Sequence, residues 1–161
     1  MSKEKHNDEF DYCQAVEDVF NQNGWHFNVR RDEGNALFSL PMSAKNCPGL
    51  NVKFTVNSRG DCKLRCYIAE NTPKSVQVNL LSAINTLNAR FRYITLSVDS
   101  DSDILAAYDF GIFGEDTDSI SKQVTTMIVL FSDITDKCIP SIMKVVWSAS
   151  EDEEKIDEDK E

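Results

Sequence analysis

The hydrophobic positions switch period several times along the chain, and each switch marks an element. From Asp8 to Asn23 the apolar residues Phe10, Cys13, Val16, Val19 and Phe20 recur at helical spacing, and Gly24 follows as a stop. The period then drops to two. Trp25, Phe27 and Val29 alternate with His26, Asn28 and Arg30, which predicts a strand with one apolar face. Residues 31–35 carry Gly34 and read as a turn, and Ala36 to Leu40 as a second strand ended by Pro41. After a loop over 43–49, Leu50, Val52, Phe54 and Val56 alternate with Asn51, Lys53 and Thr55. A hairpin turn over 57–61 contains Gly60, and Cys62, Leu64, Cys66 and Ile68 alternate with Lys63, Arg65 and Tyr67. Such regular alternation belongs to an antiparallel sheet covered on one face only.

Thr72 is placed to cap a second helix with Pro73 at its first position. Leu80, Ile84, Leu87 and Phe91 form its stripe, with Val76 and Leu81 beside it. Two further strands put Ile94, Leu96 and Val98 inward, then Ile104, Ala106, Tyr108, Phe110 and Ile112. The last helix begins near Asp118 or Ser119. Its seam is Ile120, Val124, Met127, Phe131, Ile134 and Cys138, and Pro140 is expected to kink it rather than end it, because Ile142, Val145, Val146 and Trp147 prolong the apolar pattern. The order α-ββββ-α-ββ-α predicts an α+β domain, an antiparallel sheet with helices packed on one face.

Composition divides the chain into three parts. Residues 1–7 are polar and read as a flexible N-terminus without the basic-then-apolar order of a secretory signal. Residues 8–149 form the single domain. Residues 150–161 hold eight acidic residues against two lysines, so −6 of the chain's −10 net charge sits in what reads as a disordered acidic tail. The acidic balance opposes nucleic-acid binding, because a polyanion is repelled at long range. No apolar run approaches the length of a membrane span, and a cytoplasmic protein is expected.

Candidate chemistry is sparse. Five cysteines at irregular spacing do not form a disulfide framework. Cys62 and Cys66 lie about 13 Å apart along a strand, too far to share a metal. Asp99, Asp101 and Asp103 copy the start of a calcium loop, but Ile104 replaces the required glycine and Phe110 the closing glutamate, so a hairpin turn suits them better. Residues 111–114 lack the lysine and hydroxyl of a phosphate loop, and His6 and His26 have no triad or metal spacing around them. No catalytic residue, metal or cofactor is assigned. The wet face of the sheet is the one candidate surface. By alternation it carries His26, Asn28, Arg30, Lys53, Thr55, Lys63, Arg65 and Tyr67, four of them basic. The plain reading is a solvated face whose lysines deter stray pairing. The functional reading is a docking surface for an acidic protein segment, the chain's own tail included. The last helix is richer in apolar residues than one seam requires, at Ile128, Val129, Leu130, Ile139 and Trp147. It is either buried on several sides or the seam of a homodimer.

The helix with Ile84-Asn85-Thr86-Leu87-Asn88, the strand after it, the acidic turn, Tyr108-Asp109 and the closing stretch 136–144 together resemble the YbjN-domain family, proposed bacterial sensory transduction regulators. The similarity spans about Phe10 to Trp147 and rests on packing residues and a turn. It implies a fold like that of type III secretion chaperones, and it supplies no catalytic residue. The function expected is a non-enzymatic, cytoplasmic protein-interaction module, chaperone-like or regulatory, that binds a protein segment. The alternative is a small-molecule sensor or a carboxylate-based enzyme with a pocket between helix and sheet.

Overall fold

The computed structural model describes residues 9–158, with side chains to residue 148. The segment expected to be a flexible N-terminus, 1–7, lies outside the described residues. Six strands form one antiparallel sheet: β1 (Asn28–Asp32), β2 (Asn35–Met42), β3 (Leu50–Asn57), β4 (Asp61–Ala69), β5 (Thr95–Val98) and β6 (Ile104–Gly111), in the order β1-β2-β3-β4-β6-β5. The helices α1 (Tyr12–Gln22), α2 (Gln77–Arg90) and α3 (Thr117–Glu158) accompany it, so the α+β class and the order α-ββββ-α-ββ-α are as the hydrophobic pattern predicts. One face of the sheet supplies Ala36, Phe38, Leu40, Val52, Phe54, Val56, Cys62, Leu64, Cys66, Ile104 and Ala106 to the core. The helices meet it with Val16, Val19 and Phe20, with Leu80, Ile84 and Leu87, and with the α3 stripe Ile120, Val124, Ile128, Phe131, Cys138 and Ile142.

Three local expectations are corrected. Trp25 and Phe27 precede β1 and pack on the end of α1. Trp25 stacks on Phe20 with ring centroids 5.3 Å apart, and Phe27 stands edge-on to Phe38 at 5.6 Å. β1 itself is exposed at every position, Val29 included, as an outer strand paired along one edge only. Pro41 does not end β2. It lies past the stretch that β1 pairs, where an outer edge tolerates a missing N–H. Thr72 does not cap α2: its hydroxyl donates to the Ser102 carbonyl at 2.6 Å, and the helix starts instead through a 3₁₀ turn at Lys74–Val76.

The stretch Ile84-Asn85-Thr86-Leu87-Asn88 has structural work. Ile84 and Leu87 are core residues. The Asn88 side chain accepts from the Leu96 N–H (2.8 Å) and donates to the Leu96 carbonyl (3.0 Å), which satisfies the outer edge of β5. At the β3–β4 turn Gly60 has φ +82°, and a Cβ there would meet the Tyr12 ring at 3.3 Å. The acidic turn 99–103 closes on itself, with Asp99 Oδ1 accepting from the N–H groups of Asp101 and Asp103. It is a hairpin turn between β5 and β6.

α3 starts on Asp116, whose carboxylate accepts from the Ser119 N–H at 2.8 Å. The helix runs on to Glu158, past the 149/150 boundary set by composition. Acidic and lysine residues prolong a helix already nucleated by a packed stripe, because propagation costs far less than nucleation. Pro140 stands inside it. The seam is Ile128 and Thr135 where Met127 and Ile134 are expected, and Ile139 is buried too. Much of the apolar surplus of α3 is therefore absorbed within one chain, while Val129 and Trp147 stay exposed.

Candidate functional site

The strand register places the predicted wet-face residues. Asn28, Ser39, Lys53, Arg65, Ala107 and Thr95 form one row across the open face of the sheet. Arg30, Leu37, Thr55, Lys63 and Asp109 form the next. Six of the eight predicted residues thus fall in two adjacent rows, and Tyr67 lies beside Leu105 one row further on. His26 does not join them. It precedes β1 and lines a shallow cleft with Trp25, Pro41, Met42 and Val129. One carboxylate, Asp109, and one hydroxyl, Ser39, stand among the cations. Arg65 pairs with Asp109 at 2.5 Å, Lys53 donates to the Ser39 hydroxyl at 2.7 Å, and Asp109 stands directly opposite Lys63. The two rows carry four cations against one carboxylate.

The more enclosed feature begins at Tyr67. A groove of about 540 Å³ opens between the C-terminal half of α3 and the near ends of β3 and β4. Its helix wall is Ile139, Pro140, Met143 and Trp147, one face of α3 by spacing. Leu50, Asn51, Tyr67 and Ile68 form the sheet wall, and the loop 46–49 closes the end. Trp147 is 65% exposed and Tyr67 51%, so two large aromatic side chains stand at the rim. The lining contains no carboxylate, histidine, lysine or arginine.

Pro140 and Asp136 explain why the loop stays against the helix. A proline has no N–H to give the carbonyl four residues earlier, which is that of Asp136. Asn46 takes the vacancy, donating from Nδ2 to the Asp136 carbonyl at 3.1 Å. The Asp136 carboxylate then accepts from the Asn46 N–H (2.9 Å), the Lys45 N–H (3.1 Å) and the Asn46 side-chain amide (3.1 Å). Burial pushes the Asp136 carboxyl up. The Asn46 and Lys45 N–H bonds, the Asn46 amide and the Lys45 charge outweigh that and hold it below its ordinary value. The helix thus fastens the irregular loop through a side chain and a backbone atom of one residue. The only sequence signal for this was Pro140, because Asp136 and Asn46 are 90 residues apart.

Burial pushes the thiols of Cys66 and Cys138 up to about 11 and raises Cys13 and Cys62 as well. Cys47 is half-buried in the groove end. A second cleft, beside the β1–β2 turn, carries Glu9, Asp11, Asp32 and Glu33 with Arg31. Among the described residues no group of three or more His, Cys, Asp or Glu side chains is gathered closely enough to hold a metal ion. No described helix is long and apolar enough to cross a membrane.

The site therefore sits on an α+β architecture, a one-layer antiparallel sheet in the order β1-β2-β3-β4-β6-β5 covered on one face by helices. Among solved structures the chain is similar to YbjN from E. coli, described as "a putative transcription regulator", at 13% sequence identity and a TM-score of 0.52 over 77% of this chain and 88% of that one. The likeness is one of fold. No family profile and no curated protein matches the chain.

Proposed function

We propose that this protein is a non-enzymatic interaction module, regulatory or chaperone-like and working in the cytoplasm, that binds a protein segment in the groove between α3 and the β3–β4 ends. The observation that carries the reading is the groove's lining: apolar walls with two aromatic side chains at the rim and no carboxylate, histidine, lysine or arginine. Apolar and aromatic walls with the side-chain amides of Asn46 and Asn51 among them suit a peptide, whose side chains fill the groove while its own amides meet those polar groups. The fold-level likeness to a proposed regulator agrees with it.

The second reading, a small-molecule sensor, uses the same groove, whose volume falls within the range of ligand pockets. Titration of the labelled protein with short apolar peptides and with a metabolite library separates the two. Amide shifts at Tyr67, Ile68 and Met143 with peptides are expected. Shifts only with small molecules would replace this reading by the second.

A further inference from the structure

The groove's helix wall does not stop at Trp147. Positions 140, 143 and 147 of α3 lie along one stripe, and the same 3.6-residue period carries that stripe to 151, 154 and 158, all glutamates. α3 is helical to Glu158, so these positions share one face of one helix. From Trp147 to Glu151 is about 6 Å of rise, well inside a Debye length at physiological salt. Asp152, Glu153 and Asp157 add to the same run, against the single cation Lys155 before Glu158. The groove lining is itself uncharged, so this acidic run is the charged feature that follows its helix wall along the chain.

We infer that the occupant of the groove is a basic, amphipathic segment of a partner protein, with apolar anchors followed by lysines or arginines. The anchors lie between Ile139, Met143 and Trp147 on one side and Leu50 and Ile68 on the other. The basic residues that follow run along the 151–154–158 stripe. This inference rests on the groove being a peptide site, as proposed above, and adds the class of partner. It also gives the acidic end of the chain a role beyond solubility. An acidic segment, or a second copy of this −10 chain presenting its own acidic end, would meet repulsion there.

The test uses the full chain carrying Trp25→Phe, so that Trp147 is the one fluorophore of its kind. The probe is a synthetic peptide with leucine and phenylalanine in one half and lysines in the other. Two companions replace its lysines by glutamates or its leucines and phenylalanine by serines. Saturable change in Trp147 emission with the lysine peptide is expected. The affinity should drop about tenfold for the glutamate peptide, and similarly for the protein carrying Glu151→Gln, Glu154→Gln and Glu158→Gln, with both losses shrinking in high salt. Equal binding of the lysine and glutamate peptides, with the triple variant unchanged, would overturn the basic class and leave the groove as a peptide site. No response to any of the peptides would overturn both.

Discussion

At the residue scale, Asp136 does the most with the least exposure. It is 6% exposed, yet its carboxylate and carbonyl together hold Lys45 and Asn46. Its folded-state pKa lies below its ordinary value, so ionised Asp136 favours the folded chain. That contribution is complete above the unfolded carboxyl's pKa of about 4 and is lost as pH falls through the depressed folded value. Asp136→Ala removes the acceptor from two backbone N–H groups and should cost on the order of 2 kcal/mol. Urea melts at pH 7 and at pH 3 check both statements. The variant should be less stable than the parent at pH 7, and the gap should narrow at pH 3. An unchanged gap at pH 3 would show that the carboxylate's charge is not what matters.

At the element scale, the groove depends on a helix that breaks its own rule. Pro140 costs α3 one backbone hydrogen bond, and the vacated carbonyl is what Asn46 uses. Pro140→Ala should therefore have two effects of opposite sign. The restored N–H steadies α3, while competition for the Asp136 carbonyl loosens the loop over 43–49. Hydrogen exchange should slow at residue 140's neighbours in α3 and speed up at Lys45 and Asn46. Unaltered exchange in the loop would mean that the Asp136 carboxylate alone holds it. The same scale explains where alternation misled. Trp25, Phe27 and Val29 have strand spacing, but a period of two reports only that side chains alternate. The aromatic pair wraps the end of α1, while Val29 stays exposed on the outer strand, where α1 is met by the polar side chain of Arg31.

At the scale of the whole molecule, one face of the sheet is covered and the other is wet, and the two faces have different prospects. The open face carries the four cations in adjacent rows, but Asp109 interrupts them. Lys53 and Arg65 lie two residues from Asn51 and Tyr67 of the groove, about 7 Å along their strands and inside a Debye length, so reversing both to glutamate should tighten binding of the lysine peptide in the groove. Isothermal titration with the lysine peptide measures it. Unchanged affinity would set the open face apart from the site.

The chain's own periodicities determined the element order, the sense of each interior strand and nearly all of the core. The reason is that burial acts residue by residue, and a one-position slip would carry Val52, Phe54 and Val56 to the wet face. The same alternation placed Asn28, Arg30, Lys53, Thr55, Lys63 and Arg65 together, since register follows from which face is buried. Tertiary structure alone decided the groove. Its walls come from residues 46–51, 67–68 and 139–147, segments with no local pattern in common, and the bond that closes it joins positions 90 apart. It also decided which apolar residues stay at the surface: Ile128 and Ile139 are buried while Trp147 is exposed, although helical spacing allows each of them a core position. Periodicity states which side of an element faces inward. How far a neighbouring element extends to cover it depends on the packing of the whole chain.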